Sequence, residues 1–186
     1  INPMNMKGLS KDKVIRQVKR IINTAYLFLG YTEFANYILK ISHTENDNKQ
    51  LMISKLKKNF NNRLIIIDEV HNIRISDDNQ NKHVAKELFK LVKYVDNIRL
   101  LLLSATPMYN SYKEIVWLLN LMNLNDRRSQ IELKDVFDKN GNLLISPDGT
   151  QKGEEIIRRK ATGYISFVRG ENPYTFPYRI FPSMFS

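Results

Sequence analysis

Two short runs of aliphatic residues, each cut off by polar residues at its carboxyl end, set the tightest limit on how this chain can fold. The first is Leu64-Ile65-Ile66-Ile67, ending in Asp68-Glu69; the second, Arg99 to Leu103, ends in Ser104-Ala105-Thr106-Pro107. A half-exposed strand alternates apolar and polar residues, whereas an uninterrupted apolar run of this length predicts a strand covered by helices on both faces. Between the runs, Val84, Leu88, Leu91, Val92 and Val95 recur at helical spacing, so the unit is strand, helix, strand. Strands alternating with helices predict an α/β fold with a mainly parallel, doubly wound sheet. Ligands of such sheets meet the carboxyl ends of the strands, which places Asp68-Glu69 and Ser104 to Thr106 on one edge.

The flanking segments read in the same way. Ser10 is positioned to cap a helix whose stripe is Val14, Val18, Ile21 and Ile22, with Lys11, Arg16, Lys19 and Arg20 on the other faces. Tyr26-Leu27-Phe28-Leu29, stopped by Gly30, predicts a short buried strand, and Thr32 is placed to cap a second helix through about Ile41. His43 to Gln50 is polar and aperiodic, hence a surface loop, before a helix holding Leu51, Ile53 and Leu56 with Lys55, Lys57 and Lys58 outside. Ser76 to Lys82 is a second polar loop. Ser111 with Glu114 forms a capping-box pattern for a helix carrying Ile115, Trp117, Leu118, Leu119 and Met122.

Beyond Asn125 the pattern changes. Asn140-Gly141 predicts a hairpin, Ser146 to Gly153 is turn-rich, and Glu154 to Lys160 is a short basic helix. After Gly163 to Arg169, the prolines at 173, 177 and 182 forbid a helix. The expected division is therefore a sheet-bearing lobe over residues 1–130, an excursion over 131–160, and the end of the lobe with an onward link over 161–186. Tyr174, Phe176, Tyr178 and Phe181 in that tail could anchor it to the lobe or stack on bases.

At 186 residues the chain is long enough for one sizeable core. It has no cysteine, which excludes disulfides and thiolate metal sites and fits a reducing compartment, and no apolar run long enough for a membrane span. The net charge of +10 is uneven: residues 1–60 hold 11 Lys and Arg against 4 Asp and Glu, and residues 61–186 hold 18 against 15. A basic surface attracts phosphate backbones by releasing counterions, so nucleic acid is an expected partner; a solubilising face is the alternative. Lys11, Arg16, Lys19 and Arg20, with Tyr31 and Thr32, are the candidate contacts.

Adjacent carboxylates at a strand end suit hydrolysis of a nucleoside triphosphate, which needs a divalent cation on the phosphates and a group that orients the attacking water. Asp68 could hold Mg²⁺, Glu69 could position and deprotonate the water, and His71 could link this turn to Ser104-Ala105-Thr106 and so couple hydrolysis to movement. Each element alone has a plainer reading. An apolar strand ending in Asp-Glu occurs in many α/β domains, a lone His is often only a satisfied residue, and Ser-Ala-Thr-Pro alone is a turn.

Taken together they carry a resemblance. Leu64 to His71 resembles motif II, in its DExH form, of superfamily 2 helicases, and Leu103 to Met108 resembles their motif III. Gly30-Tyr31-Thr32 is similar to the threonine-tyrosine turn of Swi/Snf-type translocases, with Gly30 in place of the commoner threonine. The ending GYISFVRGENPYTFPYRIFP resembles the early-transcription ATPases of large nucleocytoplasmic DNA viruses.

The resemblance implies a RecA-like motor lobe that uses ATP and Mg²⁺ and a DNA track, with RNA possible. It implies viral transcription or virion proteins as further partners, no membrane, and a place in the virion and host cytoplasm. No GxxxxGK[ST] phosphate loop occurs in these residues, so the intact polypeptide is expected to carry one before Ile1 and a second motor lobe after Ser186. The piece alone is expected to bind ATP poorly. A catalytically silent scaffold in a larger viral assembly, and the motor subunit of a restriction enzyme, are the competing readings.

Overall fold

The structure is a computed structural model that describes residues 8, 10–73, 79–108 and 111–167. The start of the Ser76 to Lys82 loop and the proline-rich tail, with Tyr174, Phe176, Tyr178 and Phe181, lie outside the described residues. The chain divides into two compact units, Ile1–Tyr109 and Asn110–Ser186.

The first unit begins with helix α1, Lys11–Ala25. The expected amphipathic helix forms, but it buries no residue: Val18, Ile21 and Ile22 are exposed along with the cations. Ser10 occupies the cap position without a side-chain hydrogen bond, its carbonyl accepting from the Val14 N–H instead. Tyr26 to Leu29 is not a buried strand. Tyr26, Leu27 and Phe28 are 59%, 69% and 74% exposed, and the segment belongs to no strand, because a strand needs a ladder neighbour and the described sheet contains only two others.

Helix α2, Tyr31–Ser42, starts one residue before the expected cap. Gly30 is extended at the N-cap position, and Glu33 reaches back to accept its N–H at 3.3 Å, so Thr32 lies inside the first turn rather than capping it. The loop that follows is shorter than expected. It holds a 3₁₀ turn, Glu45–Asp47, and gives way at Asn48, whose side chain accepts the Leu51 N–H and caps helix α3, Lys49–Phe60.

Strand β1, Leu64–Ile67, helix α4, Asn79–Tyr94, and strand β2, Arg99–Leu102, form the parallel strand, helix, strand unit. Both strands are entered through an asparagine in the left-handed region, Asn62 (φ 61°) and Asn97 (φ 56°), which bond to each other through their side chains at 2.6 Å. This matched pair of turns sets the register: Leu64 faces Arg99 and Ile67 faces Leu102.

Ile38 of α2, Leu56 and Phe60 of α3, and Leu91, Val95 and Ile98 build one core, and Ile65 and Leu100 pack against it from the sheet. All five positions predicted to face inward on α4 are buried. Burial of each large aliphatic side chain contributes about 1.5 to 3 kcal/mol. The opposite face of the sheet differs from expectation. Leu64, Ile66 and Leu101 are exposed, so helices cover one face of this two-stranded sheet among the described residues, and the doubly wound arrangement is not seen there. The uninterrupted apolar runs predict cover on both faces, and among the described residues only one face has it.

The second unit holds helices α5, Lys113–Asn125, α6, Leu133–Val136, and α7, Lys152–Ala161. At the start of α5 the Ser111 hydroxyl accepts from the Lys113 N–H at 3.2 Å. Val116, Leu119, Ile131, Val136 and Phe137 form its core, with Ile156 and Ile157 of α7 against them. The predicted hairpin is reduced to a single antiparallel bridge, Phe137 with Leu143, around a turn in which Gly141 has φ +85°. The Asp138 carboxylate stabilises that turn by accepting the N–H groups of Asn140 and Asn142 at 2.8 and 2.9 Å.

Candidate functional site

The parallel register carries the two polar strand ends to the same edge. Past the paired residues Ile67 and Leu102, the ladder continues: Leu103 N–H donates to the Ile67 carbonyl at 2.9 Å and Val70 N–H to the Leu103 carbonyl at 3.0 Å. Asp68 and Ser104, distant in sequence, therefore leave the sheet side by side.

The turn after β1 is tightly specified. Glu69 has φ 48° and ψ 48°, a left-handed conformation uncommon for a residue with a Cβ and one that its surroundings must hold. Three groups do so. The Asp68 carboxylate accepts the Glu69 N–H at 3.0 Å, the Asn72 N–H donates to the Glu69 carbonyl at 2.9 Å, and the Tyr31 hydroxyl donates to the Asp68 carbonyl at 2.6 Å and, more weakly, to that of Glu69 at 3.3 Å. The single 3₁₀ turn Val70–Asn72 then buries Val70 and swings His71 back over the sheet edge.

His71 Nδ1 lies 2.9 Å from Ser104 Oγ and 3.2 Å from Glu69 Oε2, in a ring whose side chain is only 17% exposed. Ser104 Oγ also accepts the Thr106 N–H at 3.1 Å. An ionised carboxylate can only accept, so the arrangement is satisfied when Nδ1 carries a proton shared between Glu69 and Ser104. With the proton on the other nitrogen, Glu69 Oε2 would face a bare lone pair. One imidazole thus joins the carboxylate of the first strand end to the hydroxyl of the second.

Asp68 and Glu69 are exposed, as a group that meets a ligand must be. Magnesium is bound by one or two carboxylates together with water and substrate phosphates rather than by a dedicated protein cage. The exposed Asp68 carboxylate at a strand end fits that donor set. No group of three or more His, Asp or Glu residues able to hold a metal occurs among the described residues.

Ala105 and Thr106 are exposed beside Ser104. Thr32 is exposed on the first turn of α2, and Lys11, Arg16, Lys19 and Arg20 are exposed along α1. The Tyr31 hydroxyl is directed at the Asp68-Glu69 turn, a contact that sequence reading missed; nothing in local spacing links the first residue of α2 to the end of β1, 37 positions away. No described helix is long and apolar enough to cross a membrane.

One parallel strand, helix, strand unit thus brings the Asp68-Glu69 turn and the Ser104-Ala105-Thr106 turn to the same sheet edge. Residues 4–160 match the model of the SNF2-related domain, and the chain belongs to that family, whose members carry a RecA-like fold. It is 25% identical over 91% of its length to a protein of Acanthamoeba polyphaga mimivirus named as a candidate ATP-dependent RNA helicase. It is 27% identical over 88% of its length to a candidate helicase of Invertebrate iridescent virus 3. It is 26% identical over 82% of its length to an early transcription factor large subunit homologue of African swine fever virus. The chain spans 15%, 14% and 14% of those relatives, respectively. No solved structure matches it significantly.

Proposed function

We propose that this chain is the DExH-bearing part of a nucleic-acid-dependent ATPase, a helicase or translocase of superfamily 2 that serves viral transcription. The observation that carries the reading is the joining of Glu69, His71 and Ser104 at one sheet edge, with contacts of 3.2 and 2.9 Å. The helicase and early-transcription names of the relatives support the same class.

In this reading Asp68 would hold the magnesium ion of Mg-ATP, which would supply positive charge against the phosphates. Glu69 orients the attacking water and accepts its proton. Its carboxylate is held by the His71 N–H, and His71 in turn is tied to Ser104. A change in the Ser104-Ala105-Thr106 turn on nucleic-acid engagement therefore reaches the carboxylate through one ring. Lys11, Arg16, Lys19 and Arg20 supply positive charge for a phosphate backbone, with DNA as the track and RNA the alternative. The reading also takes residues 1–130 as lobe, 131–160 as excursion and 161–186 as onward link, an assignment that runs across the boundary between the two compact units at Tyr109 and Asn110, and proposes action in the virion and the cytoplasm of the host. ATP hydrolysis by the full-length polypeptide, measured with and without DNA or RNA, tests the reading. Salt-sensitive nucleic-acid binding with no hydrolysis under either condition would replace the motor with a silent scaffold.

A further inference from the structure

We infer that Tyr31 is a positioning residue: its hydroxyl holds the backbone of the Asp68-Glu69 turn, from which the two hydrolytic carboxylates project. This rests on the ATPase reading above and adds to it a hold on the hydrolytic turn separate from the His71 to Ser104 link.

A hydroxyl has a single proton, and Tyr31 shares it between two successive carbonyls, at 2.6 Å to Asp68 and 3.3 Å to Glu69. Those carbonyls flank the left-handed residue Glu69, φ 48°. A left-handed non-glycine residue persists only where surrounding bonds over-determine it. Withdrawing the hydroxyl removes one of the three bonds that hold the left-handed turn, and so loosens the backbone from which both carboxylates project. Because the bond goes to backbone, it governs where Asp68 and Glu69 point without touching either side chain.

Tyr31 is the first residue of α2 and follows Gly30, which is extended at the N-cap position. Glu33, by accepting the Gly30 N–H at 3.3 Å, makes Gly30 and the first turn of α2 move as one piece.

The test uses the full-length polypeptide with Tyr31→Phe, which removes one oxygen and keeps the ring. Losing a positioning bond is expected to lower nucleic-acid-stimulated kcat about tenfold, with KM for ATP and Kd for a single-stranded oligonucleotide each within about twofold of wild type. An active wild type with an unaltered variant overturns the inference alone. A weakened oligonucleotide Kd with kcat intact also overturns it, making Tyr31 a direct contact. A large fall in Tm accompanied by loss in every parameter reduces Tyr31 to general support of the fold. A wild type that hydrolyses no ATP sinks the functional reading beneath it, and this is seen before any variant is compared.

Discussion

His71 and Ser104, 33 residues apart in the chain, meet at 2.9 Å where two parallel strands leave the sheet. The bond exists because β1 and β2 are paired in a register that sets Ile67 against Leu102. A slip in that register would move both polar turns past each other, so the contact reports on the fold and on the site together.

If the imidazole works through the serine, the two residues act as one unit. Ser104→Ala and His71→Ala are each expected to lower nucleic-acid-stimulated kcat/KM, and the double variant is expected to fall within about twofold of the worse single one, since both remove the same interaction. A double-mutant cycle on the stimulated ATPase of the full-length polypeptide measures this. Losses that simply multiply would separate the two residues.

The exposed cations of α1 bear on affinity rather than chemistry. Replacing Lys11, Arg16, Lys19 and Arg20 with alanine is expected to flatten the dependence of log Kobs on log salt by about 0.9 for each phosphate that is no longer neutralised. Maximal turnover at saturating nucleic acid should stay near wild type. Binding titrations over a salt series decide it: an unchanged slope would make α1 a solubilising face.

Gly153 is a steric requirement of the second unit. A Cβ there would lie 2.2 Å from the Val136 carbonyl oxygen and 2.8 Å from the Leu144 nitrogen, both backbone atoms that cannot swing aside. Gly153→Ala is expected to destabilise the protein by at least the ~1 to 3 kcal/mol typical of overpacking. Chemical denaturation of the full-length variant checks this, and a midpoint equal to wild type would contradict the close approach.

The Asp138 carboxyl is held below its ordinary value of 3.8, chiefly by the backbone N–H of Asn142, with the Asn142 side chain and the N–H groups of Asn140 and Gly141 adding to it. Because the folded value is depressed, the stabilisation is present above pH 3.8 and is lost as pH falls through the folded value beneath it. Asp138→Ala should therefore be less stable than wild type at neutral pH, with the difference vanishing in stronger acid. A gap in Tm that persists unchanged below the folded value would overturn this assignment.

Much of the first unit was legible in the sequence because short-range periodicity decides which face of an element is apolar. Val84, Leu88, Leu91, Val92 and Val95 are buried as their spacing required, and the strands after Arg63 and Ile98 lie where the apolar runs were. What escaped depended on partners far along the chain. Tyr26 to Leu29 had the composition of a strand but no ladder neighbour among the described residues, and Leu64, Ile66 and Leu101 had the composition of a two-sided core with one side covered. Thr32 has the residue type of a cap, but Gly30 takes that position and Glu33 accepts its N–H. At the site, the types and adjacency of Asp68, Glu69, His71 and Ser104 were visible. The left-handed turn at Glu69 and the Tyr31 hydroxyl beneath it were not, because backbone conformation at a polar strand end leaves no periodic trace.

The central claim is that Glu69 performs the hydrolytic step. The direct measurement is Mg-ATP turnover of the full-length polypeptide at saturating nucleic acid, wild type against Glu69→Gln, with ATP binding followed in parallel. Turnover is expected to fall by about 10² to 10⁴ while ATP affinity stays close to wild type, since the amide keeps the shape but cannot accept the proton of the attacking water. Undiminished turnover in the variant would contradict it.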